Sequence, residues 1–174
     1  MDGTSSLPAS KLYRVLERTV CRRKTPPFNV LTWPPCVDLA LFVHRVEGLD
    51  PGLYLLLRTG RKREELQHRF DADFLWQKPE SCPVGLELYL MATGDAREAA
   101  KKISCFQDIA SEGCFSLGML AEFSVLLEGK GPWFYPRLFW ECGMIGQVLY
   151  LEAEAAGLRG TGIGCYFDDA MHDL

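Results

Sequence analysis

"FYPRLFWECGMIGQVLYLEAEAAGLRGTGIGCYFDD", residues 134–169, is a long apolar run that stops in a series of glycines. Pro136 suits the first turn of a helix, where its missing N–H costs nothing, and Gly157 suits the position just past the last turn. The span between them is apolar almost all round, which predicts a helix buried at the centre of its domain or in a seam between two copies. Gly143 and Gly146 stand on one side of that helix. Each costs about 1 kcal/mol relative to alanine, so the reading expects a neighbouring backbone or ligand close by. Beyond the helix, "TGIGCYF" reads as one more strand. A helix stop followed by an edge strand accounts for Gly157 and Gly160. Gly162 and Gly164 are different, because alternate glycines bare one face of a strand for a flat group or another chain.

Two phosphate-binding readings of these glycines fail. A dinucleotide fingerprint needs a strand before G-x-G-x-x-G and a helix after it. Here a helix comes first and the spacing is G-x-G-x-G. A Walker loop needs Gly-Lys-Ser/Thr, which does not occur.

Working outward, "SKLYRVLERTVC" (10–21) predicts a helix capped by Ser10. "KTPPFNVLTWPPC" (24–36) carries four prolines and reads as an extended connector. "VDLALFVHRV" (37–46) and "LYLLLR" (53–58) flank the turn residues "EGLDPG" and predict an antiparallel hairpin. "REELQHRF" (63–70) reads as a short helix or turn, and "VGLELYLMA" (84–92) as a third strand. Asp95 caps a predicted helix over 95–110, and 115–123 reads as a strand. This order of elements indicates an α+β fold with a mostly antiparallel sheet packed around the long helix. The chain divides into an N-terminal helix and Pro-rich connector, 1–35, and a main domain, 36–174.

With 174 residues, 48% hydrophobic and 24% charged, the chain has the composition of one globular domain. A net charge of −4 gives no reason to expect nucleic acid or an anionic membrane as partner. "CRRK" (21–24) and "RTGRKR" (58–63) read as solvated surface, with a phosphate or partner contact as the alternative. The seven cysteines are odd in number and form no C-x-x-C. They suit buried thiols in a reducing, cytoplasmic setting better than a disulfide framework. Three histidines at 44, 68 and 172 form no chelating pattern, so no metal is expected. The N-terminal residues lack the character of a signal peptide, and no uncharged apolar run reaches the ~18 residues that span a bilayer.

Four segments resemble the nitroreductase-like flavoproteins: "HRVEGLDPGLYLL" (44–56), "SCFQDIA" (104–110), "FSLGMLAEF" (115–123) and 138–174. The likeness covers roughly residues 36–174, and its most specific part is Gly-Thr-Gly-Ile-Gly with the "LEAEAAGL" before it. The branch it resembles most oxidises azoline rings in peptide biosynthesis and includes forms with two tandem domains. The resemblance implies a dimer or tandem pair with FMN at the interface. It also implies hydride transfer to or from a small organic or peptide heterocycle. The backbone of Gly162, Gly164, Cys165, Tyr166 and Phe167 would lie along the flavin, an N–H facing the ring nitrogen that exchanges hydride. Gln107 would hydrogen-bond substrate or ring. The family's N-terminal arginine grip on the FMN phosphate and its basic closing segment are not found in these residues. The reading therefore expects one half of a tandem protein, a fragment, or a non-catalytic domain of the same fold that serves as a dimerisation or peptide-binding partner.

Other residues carry two readings each. Cys105 reads as a buried structural thiol or, beside Lys101 and Lys102, as a nucleophile. Gln147 reads as a core amide bonded to backbone. His44 and Arg45 read as a turn network or a substrate contact. Asp168, Asp169 and His172 read as a helix start or an acid–base group. Trp33, Trp76, Trp133 and Trp140 read as core or interface. No residue is assigned a catalytic role.

Overall fold

The computed structural model describes residues 3–22 and 25–174. Arg23 and Lys24 of "CRRK" therefore lie outside the described residues. Short strand β1 (Leu7–Pro8) runs directly into helix α1 (Ala9–Thr19). Next come β2 (Asp38–Val43), β3 (Val46–Glu47), β4 (Gly52–Leu56), α2 (Arg63–Gln67), β5 (Leu88–Thr93) and α3 (Arg97–Ile103). The chain ends with β6 (Phe115–Leu120), α4 (Phe123–Lys130), α5 (Tyr135–Ala155) and α6 (Asp168–His172).

The predicted hairpin forms, with Leu39 opposite Leu56 and Val43 opposite Gly52. The sheet order is β5-β4-β2-β6, every pair antiparallel, while β1 pairs in parallel with β3. Both faces of this sheet are covered, which explains why β2 is buried along its whole length. Leu39, Leu41 and Val43 meet Leu12 and Leu16 of α1 and Ile145 and Val148 of α5 on one face. Phe42 meets Ala100 and Ile103 of α3 on the other, with Ala170 and Met171 of α6 packed against them.

Charged side chains tie the layers together. Arg58 and Glu141 have fully buried side chains and pair at 3.1 Å. Glu141 also accepts the N–H groups of Cys36 at 3.0 Å and Val37 at 3.3 Å. Asp38 accepts the N–H of Arg58 and of Thr59 and pairs with Arg61 at 2.7 Å. The solvated-surface reading of "RTGRKR" therefore fails at Arg58. The chain leaves β4 between α1 and α5, and Glu141 meets the guanidinium there.

Several expected boundaries move for local reasons. Pro8 stands at the N-cap of α1 in place of Ser10, because the chain enters from a strand at φ −61°, ψ 139°. Asp95 accepts the N–H of Arg97 at 3.1 Å, but Ala96 is the N-cap of α3. That helix ends at Ile103 instead of 110, since Cys105 and Phe106 adopt left-handed φ of +54° and +60°. A single 3-10 turn, 108–110, follows. Residues 161–167 form neither strand nor helix, so the expected last strand does not form.

Helix α5 is not buried all round within this chain. Leu138, Glu141, Ile145 and Val148 are buried, spaced as a single stripe. Phe139, Trp140, Tyr150 and Leu151 lie exposed on other faces, Phe139 by 59% and Trp140 by 56%. An apolar back made the sequence look buried all round. Gly143 and Gly146 have nothing within 4 Å of where a Cβ would stand, so the described residues supply no close neighbour. Gln147 is exposed rather than a core amide.

Candidate functional site

Helix α5 ends in a closed cap. The N–H of Leu158 bonds to the carbonyl of Ala153 at 2.8 Å, and that of Gly157 to Glu154 at 3.0 Å, with Gly157 at φ +79°. This paired closure requires a left-handed residue at 157 and sends the chain back along the helix. Tyr150, two turns earlier, then meets the returning glycines. Its hydroxyl oxygen accepts the N–H of Gly162 at 2.5 Å. A Cβ at Gly160 would stand 3.3 Å from the Tyr150 ring, and one at Gly162 would stand 3.2 Å from its hydroxyl. Gly164 is different, with nothing within 4 Å of its absent side chain and no left-handed φ. Close approach by Tyr150 explains two of the glycines and leaves the third unexplained by this chain.

Past Gly164 the segment meets the end of α3. A disulfide joins Cys105 to Cys165, with Cα atoms 6.0 Å apart. That corrects the reading of Cys105 as a structural thiol, and of the cysteines as thiols throughout; Cys21, Cys36, Cys82 and Cys142 are free thiols. The Gln107 amide donates to the Cys165 carbonyl at 3.3 Å and to that of Ser104 at 2.9 Å. The N–H of Phe167 bonds to Ile103 at 2.7 Å, and the rings of Phe106 and Phe167 meet edge to face. Gln107, Cys165 and Phe167 are thus brought together. Gly162 and Tyr166 line a neighbouring open groove of about 1400 Å³, bounded by β6, α5 and α6. Gly164 is not among the residues lining that groove.

The cations that line the groove already have partners. Arg61 pairs with Asp38 and Glu122, Arg69 with Glu122, and Arg159 with Glu154. Arg45 donates to the carbonyls of Ser5 at 3.1 Å and Glu112 at 2.5 Å, which makes it a turn-fastening residue. His44 beside it is buried, and its Nε2 lies 2.9 Å from the Ala110 carbonyl. Burial pushes the imidazole below its usual range, and the Ala110 bond partly opposes that. Asp168 and Asp169 occupy the first turn of α6. Among the described residues, no group of three or more His, Cys, Asp or Glu comes together to hold a metal. No helix among them is long and apolar enough to cross a membrane.

Sequence reasoning missed Tyr150, the disulfide, and the Arg58–Glu141 pair. A signal for the last was present: a lone glutamate in an otherwise apolar helix stretch needs a buried partner. Trp33, Trp133 and Trp140 gather about Arg137, whose guanidinium lies 4.2 Å from the Trp133 ring centroid, while Trp76 is buried.

Neither a protein-family model nor a curated protein matches the chain. Among solved structures it is similar to a proposed nitroreductase from Anabaena variabilis, with a TM-score of 0.72 and 16% sequence identity. The fold is nitroreductase-like. The match covers 99% of this chain but 31% of that one, so the residues described span about a third of the similar protein. The α+β architecture and the antiparallel sheet agree with that fold.

Proposed function

We propose that this chain is the flavin-facing part of an FMN-dependent oxidoreductase of the nitroreductase-like class. Its substrate would be a small organic molecule or a peptide heterocycle. The observation that carries the reading is Gly164, bare of side chain, unforced by its φ and open on its Cβ side. A planar ring stacked on backbone needs such a position.

The residues fit the ring portion of FMN better than its phosphate. Tyr150 fixes the N–H of Gly162, and Ile103 fixes that of Phe167, so the backbone between is tethered at both ends. Gln107 holds the Cys165 carbonyl in place. When bound, a flavin would supply the redox chemistry, and the protein supplies position and exclusion of water. The phosphate would need charge-assisted donors, and the arginines around the groove are engaged with carboxylates or carbonyls. The proposal therefore includes a second copy of the chain or a companion domain to complete the site. The exposed aromatic face of α5, and the greater length of the similar protein, support that part.

The engaged arginines equally favour a second reading, a domain of this fold that binds no flavin and serves as a dimerisation or peptide-binding partner. Visible absorption after incubation with excess FMN and desalting separates the two. Flavin bands near ~370 and ~450 nm that survive desalting support the enzyme. Gly164→Val should abolish them while leaving the fold intact, because the side chain would enter the ring's space. Retained colour at normal stoichiometry would place the flavin elsewhere. A colourless protein that takes up no FMN supports the second reading.

A further inference from the structure

The disulfide between Cys105 and Cys165 joins the end of α3 to the glycine segment across 60 residues of sequence. Its surroundings differ from those of the free cysteines. Burial pushes up the thiols of Cys21, Cys36, Cys82 and Cys142, those of Cys36 and Cys142 to about 11. Such thiols stay protonated and react slowly. The bonded pair lies at the surface, with Cys165 exposed and its flanking Phe106 and Tyr166 exposed by 65% and 61%. A soluble reductant can reach it.

The backbone at this junction also needs holding. Cys105 and Phe106 are consecutive non-glycine residues in the left-handed region, a conformation that persists where surrounding contacts impose it. The contacts between this junction and the segment include the disulfide, the Gln107 bond to Cys165, the Phe167 bond to Ile103, one pair of rings and the packing of Ile163 against α3. The N–H of Phe106 bonds to Lys101, and Tyr150 holds Gly162 from the side of α5. The segment between Gly160 and Phe167 pairs with no strand.

We propose that Cys105–Cys165 is a redox-operated clasp. Oxidised, it fixes residues 160–167 against α3; reduced, it lets that segment come away while the sheet stays folded. The co-reactant is a dithiol. One of its thiolates attacks the exposed Cys165 sulfur, the S–S bond breaks, and the Cys105 sulfur leaves as a thiolate that takes up a proton. The second thiol of the reductant then displaces Cys165 as a thiol. Two electrons and two protons pass to the protein, and the dithiol ends as its own disulfide. The clasp concerns this chain's own backbone and stands whether or not FMN binds.

The test uses the whole chain, oxidised and then treated with dithiothreitol, with maleimide labelling read by mass spectrometry and amide hydrogen exchange in parallel. Before reduction, neither Cys105 nor Cys165 should take label; afterwards both should, and oxidised dithiothreitol should reverse it. On reduction, amides in 160–167 should exchange ~10-fold faster or more, with β2 and β4 unchanged. Cys165→Ser should match the reduced protein without reductant. If that variant fails to fold, the comparison of reduced with oxidised wild type decides alone. Labelling of either cysteine before reduction overturns the proposal. So does unchanged exchange in 160–167, in reduced wild type or in the folded variant. Loss of protection in β2 and β4 on reduction also overturns it, since the bond would then hold the whole domain.

Discussion

Replacing Glu141 by glutamine tests whether the buried ion pair anchors α5 to the sheet. The carboxylate has three donors around it: the Arg58 guanidinium at 3.1 Å and the N–H groups of Cys36 and Val37 at 3.0 and 3.3 Å. Both charged side chains are fully buried. Arg58 keeps its bonds to the carbonyls of Thr19 at 2.8 Å and Val37 at 2.5 Å, and it lies over the Phe28 ring at 5.1 Å. In Glu141→Gln the guanidinium loses its counter-charge, a change that costs about 3–5 kcal/mol in buried pairs. The new amide nitrogen also turns a donor toward a donor, an unmade bond of about 1–3 kcal/mol. The two costs overlap, so the expected loss is about 4 kcal/mol, a large part of a typical total of ~5–15 kcal/mol. Equilibrium unfolding in urea should show a lower midpoint at unchanged slope. Replacing both partners, Arg58→Met with Glu141→Leu, should cost less than the sum of the two single changes, because no unpaired charge is left, although the N–H groups of Cys36 and Val37 and the carbonyls of Thr19 and Val37 lose these side-chain partners. A single-variant loss under about 1 kcal/mol would refute the reasoning. So would a double variant as unstable as the sum of its singles.

Two further outcomes follow from observations above. His44, buried with its pKa lowered, binds fewer protons folded than unfolded, so stability should fall as pH drops below about 6.5 through the lowered value. His44→Gln keeps a donor for the Ala110 carbonyl and should flatten part of that slope in urea midpoints; an unchanged slope would remove His44 from the account. The exposed aromatic face of α5 should pair the chain with a second copy or a companion domain. Sedimentation at micromolar concentration should then show a dimer of this chain when no companion is present, and a clean monomer would refute self-pairing.

Much of the fold was legible because local chemistry and global packing agreed. The hairpin rested on Asp50-Pro51-Gly52 between two apolar runs, and Tyr54 reinforces it by donating to the Asp50 carbonyl at 2.8 Å. Pro136 and Gly157 marked the limits of α5 closely, since a missing donor and a left-handed residue have few other places to go. What escaped depends on contacts distant in sequence. The end of α3 at Ile103 cannot be read from "SCFQDIA", where periodicity continues; the left-handed turn at Cys105 and Phe106 meets a partner 60 residues away. Arg58 looked like part of a solvated run because the glutamate that neutralises it comes 83 residues later.

The glycine segment shows where the boundary between fold and site falls. Gly157 is favoured by a left-handed φ, and Gly160 and Gly162 by the Tyr150 side chain close against them. These needs are internal, and a protein with no ligand at all would share them. Gly164 meets neither condition. Its neighbours are held by Gln107, the Phe167 amide and the disulfide. A bare position inside a tethered backbone is the arrangement expected where something flat is to be received, because tethering removes the ordering cost that a ligand would otherwise bear. If reduction of Cys105–Cys165 releases that backbone, the same bond would set how well the segment is prepared for a ligand. FMN uptake by the oxidised and reduced forms would then differ in the direction of tighter binding to the clasped state.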